Sequence, residues 1–321
     1  MKKIFIFIAL LSSLYANNKD KIVVAGPIAT VSHPIFYMIE NDVLKDLGKK
    51  IEFKLWNNPD ELRALVINNS VDFIALPTNV AANLYNKNID LKLLNVSIWG
   101  ILQLISREDG LKTIDDFKGK KIVVPFRNDM PDIVLKALIK KAGYDYKKDF
   151  NLQYVATPVD AMQMLILRRY DHALLAEPAV SIALKKTNSY PVKLVASDLY
   201  RSVNLQDEWG RLFGKNKVPQ AGLAFLGDTK NSEVLISRFL AEYEKALNYY
   251  KENPSQSAKL VVKNLPMLEE DGLALSISNI IFENKSAEDS KKELEEFFEI
   301  LMQNEPKLIG SKLPNETFYY K

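Results

Sequence analysis

The tetrapeptide Lys-Ile-Val-Val stands at residues 21–24 and again at residues 121–124, which is 100 positions further along the 321-residue chain. Two other landmarks recur with an offset of 99. A proline that opens a helical pattern occurs at residues 59 and 158, and an aspartate that precedes an apolar strand pattern occurs at residues 72 and 171. These offsets predict a tandem repeat of one α/β unit. Chance similarity between common strand sequences is the alternative explanation.

Each unit has the order strand-helix-strand-helix-strand, so the predicted fold is an α/β fold of two lobes that face each other across a cleft. Lobe one comprises residues 17–99 and 217–321, and lobe two comprises residues 100–216. The chain then crosses between the lobes twice, near residues 99–100 and within residues 198–220. A double crossover suits a hinge, and clefts between domains are common sites for small ligands.

The pattern changes to helices only from residue 232 onward. Helical spacing of apolar residues predicts helices over 232–251, 255–264, 268–282 and 287–303. Such a tail cannot form a doubly wound sheet of its own, so we expect it to pack on lobe one. Before the tail, Val192–Ala196 is predicted to be a strand.

Composition excludes several classes of protein. The chain is 47% hydrophobic and 26% charged, as in ordinary globular proteins, and its net charge of +3 includes no block of like charges. Nothing in this balance favours a nucleic-acid partner. There is no cysteine, so neither a disulfide nor a lipid-attachment cysteine is expected.

The first sixteen residues have the pattern of a cleavable signal peptide. Two lysines precede the apolar run at residues 4–11, and small residues lead to Ala16 as the cleavage point. The apolar run is short for a membrane span, although an uncleaved anchor is the alternative. We therefore expect export to a bacterial periplasm, with the mature protein free in solution.

Three segments resemble one known family. Residues 111–124 (LKTIDDFKGKKIVV) resemble type II periplasmic solute-binding proteins. Glu177-Pro178 after a strand, and residues 218–225 (VPQAGLAF), are similar to the nitrate/sulfonate/taurine branch of ABC-transporter binding proteins, which also contains binders of pyrimidine precursors of thiamine. The resemblance extends over essentially all of the mature chain and implies a type II two-lobed fold with a double-crossover hinge.

In that family the ligand lies between the lobes and is held by strand-to-helix turns. Carried over by position, the candidate turns are residues 26–33, 56–58 with 77–79, 127–130 and 177–178. Independently, the carboxyl ends of strands in open α/β sheets form a crevice, and helix N-termini there favour anions.

On lobe two, Arg127 follows a buried strand, where its guanidinium can hold a carboxylate, sulfonate or phosphate in two places. Pairing of Arg127 with Asp129 or Asp132 on the surface is the alternative. Asn128 and Asp129 share the turn, and one of them is expected to cap the next helix instead of binding ligand.

On lobe one, Ser32 precedes a helix and is expected to cap it, with or without a ligand contact. Trp56 can offer an aromatic face to a ring or an apolar tail, or can be core packing. The candidate ligand contacts from this lobe are Ser32, His33, Trp56, Asn57, Thr78 and Asn79.

Glu177 is the remaining candidate. Its carboxylate suits a ligand amine or a cationic ring, and it can instead pair with Arg127. A site with both Arg127 and Glu177 would suit a zwitterion such as an aminosulfonate.

Enzymatic motifs are missing from the sequence, which has no nucleophile elbow, no phosphate-binding glycine loop and no metal-ligand spacing. Two histidines cannot form a metal cage alone, so neither metal nor cofactor is expected. The resemblance implies a monomeric substrate-binding component of an ABC importer, working with an inner-membrane permease and its ATPase. The solute would be sulfonate-, nitrate- or taurine-like, or a pyrimidine precursor. A ligand-sensing module feeding a receptor and a biosynthetic enzyme of the same fold remain the alternatives.

Overall fold

A computed structural model describes residues 20–196, 199–215 and 217–321. The predicted signal peptide, residues 1–16, lies outside the described residues. Over the described ranges the chain forms two β-sheets with helices packed on their faces. Among these residues, no helix combines the length and the apolar character needed to cross a membrane.

The strands divide between a larger and a smaller sheet. They are β1 Lys21–Gly26, β2 Lys50–Leu55, β3 Phe73–Pro77, β4 Leu91–Leu93, β5 Asn95–Gly100, β6 Leu102–Ser106, β7 Lys121–Pro125, β8 Asn151–Val155, β9 His172–Ala176, β10 Tyr200–Asn204, β11 Ala221–Leu226 and β12 Ile281–Ser286.

The α-helices connect the strands and form most of the C-terminal tail. They are α1 His33–Glu40, α2 Pro59–Ile67, α3 Thr78–Asn86, α4 Met130–Lys141, α5 Pro158–Ile166, α6 Ala179–Thr187, α7 Lys193–Ala196, α8 Leu205–Phe213, α9 Glu233–Glu252, α10 Pro254–Asn264, α11 Glu270–Ser276 and α12 Lys291–Asn304.

The two sheets share one core topology. The larger has the order β12-β5-β11-β3-β1-β2, with β4 also on β11, and the smaller has the order β10-β6-β9-β7-β8. In each sheet the first strand of the repeat, β1 or β7, lies between two parallel partners. An antiparallel strand, β11 or β6, then pairs with the third strand. The sequence repeat is therefore a structural repeat.

Backbone details follow the same repeat. Proline opens both α2 and α5, where its missing N–H and fixed φ suit the first helical turn. After these helices, Asn69 with φ 47° and Arg168 with φ 53° both adopt the left-handed conformation. The two residues are 99 positions apart, the offset that the prolines predict.

The chain passes between the sheets at two neighbouring connections. β5 in the larger sheet leads at once into β6 in the smaller one, and the chain returns between β10 and β11. Gln220, on the return connection, accepts a hydrogen bond from the Ile101 N–H at 2.8 Å through its side-chain oxygen. The Gln220 N–H donates to the Ile98 carbonyl at 3.0 Å. The two connections are thus held side by side.

Two predictions of local structure were wrong. Residues 193–196 form the short helix α7, not a strand. The prediction of helices only after residue 232 is wrong at residues 281–286, which form the strand β12, whereas most of the helix predicted over 268–282 is present as α11 and a 3-10 turn. β12 pairs antiparallel with β5 and covers the edge of the larger sheet. At β12, pairing with β5, some 180 residues earlier in the chain, outweighs the helical pattern of the tail. The reason is that an open sheet edge has backbone groups that need hydrogen-bond partners.

The tail packs on both lobes. α9 and α10 lie against α1 beside the larger sheet, while α11 lies against α6 beside the smaller one. At this second contact a Cβ on Gly272 would stand 2.6 Å from the Ile182 Cα, so only glycine permits the approach. Lys186 and Glu269 form an ion pair at 2.9 Å across it. The tail therefore connects the two lobes as well as covering lobe one.

Candidate functional site

A cavity of about 90 Å³ lies between the two sheets, where the parallel strands of both end. We call it the cleft cavity. Five of the six parallel strands contribute to the wall of this cavity, through their last residues or through the turn that follows them. These strands are β1, β2, β3, β7 and β9, and the sixth is β8. These wall residues are Pro27, Ala29, Val31, Trp56, Leu76, Pro77, Pro125, Phe126, Asp129, Met130, Pro131 and Ala176.

The remaining wall comes from Pro158 at the start of α5 and from the two connections between the sheets. Ile98, Ile101 and Leu102 belong to the first connection, and Gln220 with Ala221 belongs to the second. The cavity therefore borders both lobes and the connections on which they would hinge, the place where an open α/β fold binds its ligand.

Proline is unusually frequent in this wall. Five of the 14 prolines of the chain line the cleft cavity: Pro27, Pro77, Pro125, Pro131 and Pro158. Proline has no backbone N–H, so these positions offer carbonyls and apolar rings but no hydrogen-bond donor. The wall is consequently poor in groups that could hold an anion.

Trp56 presents an apolar face to the cavity. The residue is buried, and its indole N–H donates to the Ala75 carbonyl at 3.2 Å. Because the one polar group of the ring already has a partner inside the protein, the face toward the cavity can contribute only dispersion and stacking.

Asp129 is the one ionisable residue among the described residues of the wall. Its side chain is the N-cap of α4 and accepts the Met130 N–H at 2.8 Å. Burial raises the pKa of this carboxyl to about 6, while the Met130 N–H and the charge of Arg63 act in the opposite direction. The cavity thus combines an apolar wall with a single carboxylate.

A second, polar depression adjoins the cavity at Asp129; we call it the mouth pocket. Asn79, Asn83, Asn128 and Asp129 line it, together with the charged residues Arg63, Lys87, Glu305 and Lys307. The side-chain oxygen of Asn79 is buried there and has no hydrogen-bond partner. Two acceptors, on Asp129 and Asn79, therefore border the way into the cavity.

Arg127 lies away from the cleft cavity. Its side chain is exposed and lies over the ring of Tyr154, with the guanidinium carbon 5.0 Å from the ring centroid. It borders an outer depression with Lys147 and Asp149. The backbone explains this direction: Phe126 and Asn128 have φ values of 56° and 60°, so the turn reverses around Arg127.

Ser32 and His33 are buried behind the turn that follows β1. The expectation that Ser32 caps a helix is wrong, because its side chain makes no capping hydrogen bond and its hydroxyl has no partner. His33 Nε2 donates to the Ile28 carbonyl at 3.0 Å, so Nδ1 accepts from the Tyr250 hydroxyl at 2.8 Å. Burial lowers the pKa of His33 to about 4.

Asn57 and Thr78 bind neighbouring protein groups. Asn57 is exposed and donates to Glu61 through both its N–H and its side-chain amide. The Thr78 hydroxyl donates to the Pro219 carbonyl at 2.5 Å, which ties the start of α3 to the second connection between the sheets.

Glu177 pairs with Arg201, and the alternative of a Glu177–Arg127 pair is wrong. A Glu177 oxygen lies 2.5 Å from an Arg201 nitrogen, and the other accepts the Ser181 N–H at 3.1 Å. Desolvation raises the pKa of this fully buried carboxyl, and the charge of Arg201 opposes the rise. The pair lies at the start of α6, outside the wall of the cleft cavity.

Sequence reasoning missed the apolar part of the site. Phe126, just before the predicted turn, and Met130, its last residue, were not named as contacts, yet both line the cavity, whereas Arg127 does not. The clustering of prolines at strand ends was the available signal, since proline favours the end of one element and the start of another. Within the described residues, no group of His, Asp and Glu side chains could hold a metal ion.

Comparisons with known proteins agree with this architecture. Residues 30–197 match the family model described as "ABC transporter, phosphonate, periplasmic substrate-binding protein". No curated protein that was compared matches the chain.

Several solved structures are similar in fold. An ABC transporter protein from Parabacteroides distasonis is 23% identical, with 94% of this chain and 99% of that chain covered and a TM-score of 0.73. The periplasmic aliphatic sulphonate binding protein SsuA from Escherichia coli is 16% identical. The match covers 93% of this chain and 95% of that chain, with a TM-score of 0.69. The periplasmic nitrate-binding protein NrtA from Synechocystis is 12% identical. The match covers 79% of this chain and 69% of that chain, with a TM-score of 0.61. These similarities confirm the predicted fold.

Proposed function

The chain belongs to the family of ABC-transporter phosphonate periplasmic substrate-binding proteins, and from this membership we propose that it captures a small solute between its lobes and delivers it to an inner-membrane permease. The observation that carries the proposal is the cleft cavity, which both sheets and both connections border. The permease and its ATPase are the proposed partners, and the binding protein acts as a monomer without catalysing a reaction.

The proposed mechanism is a shift between open and closed arrangements of the lobes. A ligand that touches the turns of both lobes binds the closed form more tightly, and it shifts the equilibrium by that difference in affinity. The two connections, joined through Gln220, allow the lobes to move while each sheet stays intact. The closed, loaded form is then the one that the permease accepts.

Among the predicted residues, we propose that Trp56 and Asp129 contact the ligand directly, because both line the cleft cavity. Asn79 and Asn128 act at the mouth pocket. The remaining candidates support the turns that carry these contacts or lie on the outer rim; they are Ser32, His33, Asn57, Thr78, Arg127 and Glu177.

Location follows from the family, whose members are periplasmic. For this chain we propose export through the N-terminal signal peptide, residues 1–16, followed by its removal. Determining the N-terminal sequence of the protein recovered from a periplasmic extract tests this step, and an unprocessed N-terminus would contradict it.

Native mass spectrometry of the purified mature protein tests the function. We expect a bound small molecule, which is released unchanged on denaturation, and a smaller radius of gyration in the loaded form by small-angle scattering. A ligand that is chemically converted, or that leaves the radius unchanged, would contradict capture by closure of the lobes.

A further inference from the structure

Resting on the proposed function, we infer the chemical class of the solute from the wall of the cleft cavity. The buried part of the ligand is an apolar or aromatic group that bears one ammonium or N–H donor, and this donor binds Asp129. The cavity binds such a group in preference to an oxyanion such as nitrate, a sulfonate or a phosphonate.

The wall offers an anion few donors, of which the side-chain amide of Gln220 is one. Apart from Asp129 and Gln220 it consists of apolar residues, and five of these are prolines without an N–H group. The side-chain oxygen of Gln220 accepts a hydrogen bond from Ile101. An oxyanion buried here would lose its hydration shell without gaining enough donors, which costs several kcal/mol or more and prevents binding.

Three helix N-termini beside the cavity carry side-chain caps, whereas α1 and α3 have none. At α3 the Thr78 N–H donates to the Gln220 carbonyl at 3.1 Å. Asp129 accepts the first N–H of α4 and brings a negative charge of its own to that end. At α2, the Asn58 side chain accepts from the N–H groups of Asp60 and Glu61. At α5, the Thr157 hydroxyl accepts from the Asp160 N–H. An incoming anion would have to displace these protein groups.

Two buried acceptors lie at the edge of the cavity. Asp129 is 5% exposed, and the buried side-chain oxygen of Asn79 beside it has no hydrogen-bond partner. Two acceptors at the boundary of the cavity and the mouth pocket need donors, and an ammonium or amino group supplies them. The raised pKa of Asp129 has the same origin, since its carboxylate is desolvated without a cation in contact.

Cations do lie nearby, but they lie in the mouth pocket and not in the cavity. Lys87 and Lys307 are exposed, and Arg63 is paired with Asp60 at 2.9 Å. Exposed charges are screened by water and salt, so they bind a buried anion weakly. These cations can accommodate only a polar end of the ligand that stays in solvent.

The volume limits the ligand as well. A cavity of about 150 Å³ is known to bind benzene. The cleft cavity, at about 90 Å³, is smaller. A benzene-sized ring therefore enters while the lobes are apart, and the lobes then close around it.

A matched set of probes tests the inference by ligand-observed NMR at pH 7.5: benzylamine, benzyl alcohol and benzenesulfonate share one ring and differ in charge. We expect benzylamine to bind most tightly and benzenesulfonate not to bind. Asp129→Asn should weaken the binding of benzylamine by at least about tenfold, because a hydrogen bond to a charged group is lost. It should change the binding of benzyl alcohol little.

Two further variants secure the comparison. Asp171→Asn removes the same charge at the far end of β9, whose last residue lines the cavity, and should leave all three probes unchanged. Asp129→Ser retains an oxygen for the Met130 N–H and should weaken benzylamine as Asp129→Asn does. These variants separate loss of the charge near the ligand from loss of the helix cap.

Three results would overturn the inference: no binding of benzylamine, benzylamine binding that is unchanged by Asp129→Asn, or binding of benzenesulfonate that is tighter than that of benzylamine. The last result, if accompanied by lobe closure in small-angle scattering, would leave the proposed function intact. A protein that neither carries a ligand nor closes with any probe would contradict both.

Discussion

The turn that follows β1 and the turn that follows β7 occupy the same place in the repeat, yet they differ in chemistry. Residues 27–32 lead into α1 and present only apolar side chains to the cleft cavity. Residues 126–129 lead into α4 and present Phe126 together with the carboxylate of Asp129. The repeat has kept its strand topology while its two ligand-facing turns have diverged.

Each turn also adjoins one buried ionisable group, and the two groups titrate in opposite senses. His33 has a lowered pKa, because burial disfavours its cation, and Asp129 has a raised pKa, because burial disfavours its anion. Both groups are therefore held neutral over an overlapping range of pH. In both cases the physical cause is desolvation, which favours the neutral form.

Exchange of Gly26 and Phe126, which stand 100 positions apart in the repeat, gives the largest expected effect. Gly26→Phe places a side chain where even a Cβ would lie 2.2 Å from the Ser32 hydroxyl and 3.2 Å from the Ala75 Cβ. We expect a loss of about 3 kcal/mol in the free energy of unfolding, measured with urea.

The reciprocal change, Phe126→Gly, is its matched control. It relieves a φ of 56° while it removes part of the cavity wall, so we expect a change below about 1 kcal/mol. Equal losses in the two variants would show that the turns are not differently packed.

His33 should make the protein less stable in acid. Its folded pKa of about 4 lies below the unfolded value, so its contribution is complete above pH 6.5 and is lost as the pH falls toward 4. The loss is on the order of 3 kcal/mol at about 1.4 kcal/mol per pH unit. Urea unfolding of the protein and of His33→Gln should show a stability difference that narrows from pH 7.5 to pH 5. A constant difference would contradict burial of a neutral imidazole.

Asp129 should act in the opposite direction. Its folded pKa of about 6 lies above the unfolded value, so the folded state binds the proton more tightly and gains stability as the pH falls through 6. The gain is on the order of 2 kcal/mol between pH 7.5 and pH 4. Relative to Asp129→Asn, the protein should become more stable on acidification, while Asp171→Asn should follow the unmodified protein. If the Asp129→Asn variant also became more stable on acidification, the gain in stability would come from another group.

Ser32→Ala should have the smallest effect. The Ser32 hydroxyl is buried without a hydrogen-bond partner, so its removal loses no bond and avoids the desolvation of a polar group. We expect the free energy of unfolding to change by less than about 1 kcal/mol, toward greater stability if at all. A marked loss of stability in urea would mean that the hydroxyl has a partner in solution, for instance a bound water.

The two turns also show how far sequence reasoning extends. It located both turns, because a strand pattern followed by proline marks them whatever lies around them. It favoured Arg127 over its neighbours on chemical grounds. Successive residues in a turn point in different directions, and the positive φ values of Phe126 and Asn128 direct Arg127 to solvent. A local pattern does not specify those dihedral angles.

By itself, the sequence determined the α/β class, the tandem repeat and the starts of α2 and α5, because apolar periodicity, proline and helix caps act within a few residues. The tertiary structure decided that residues 281–286 form an edge strand, that the tail reaches both lobes and that Asp129 faces an apolar cavity. These features depend on contacts between segments far apart in the chain. Their free energy comes from pairing an open sheet edge and from burying apolar surface, and neither is gained until the distant segments have come together.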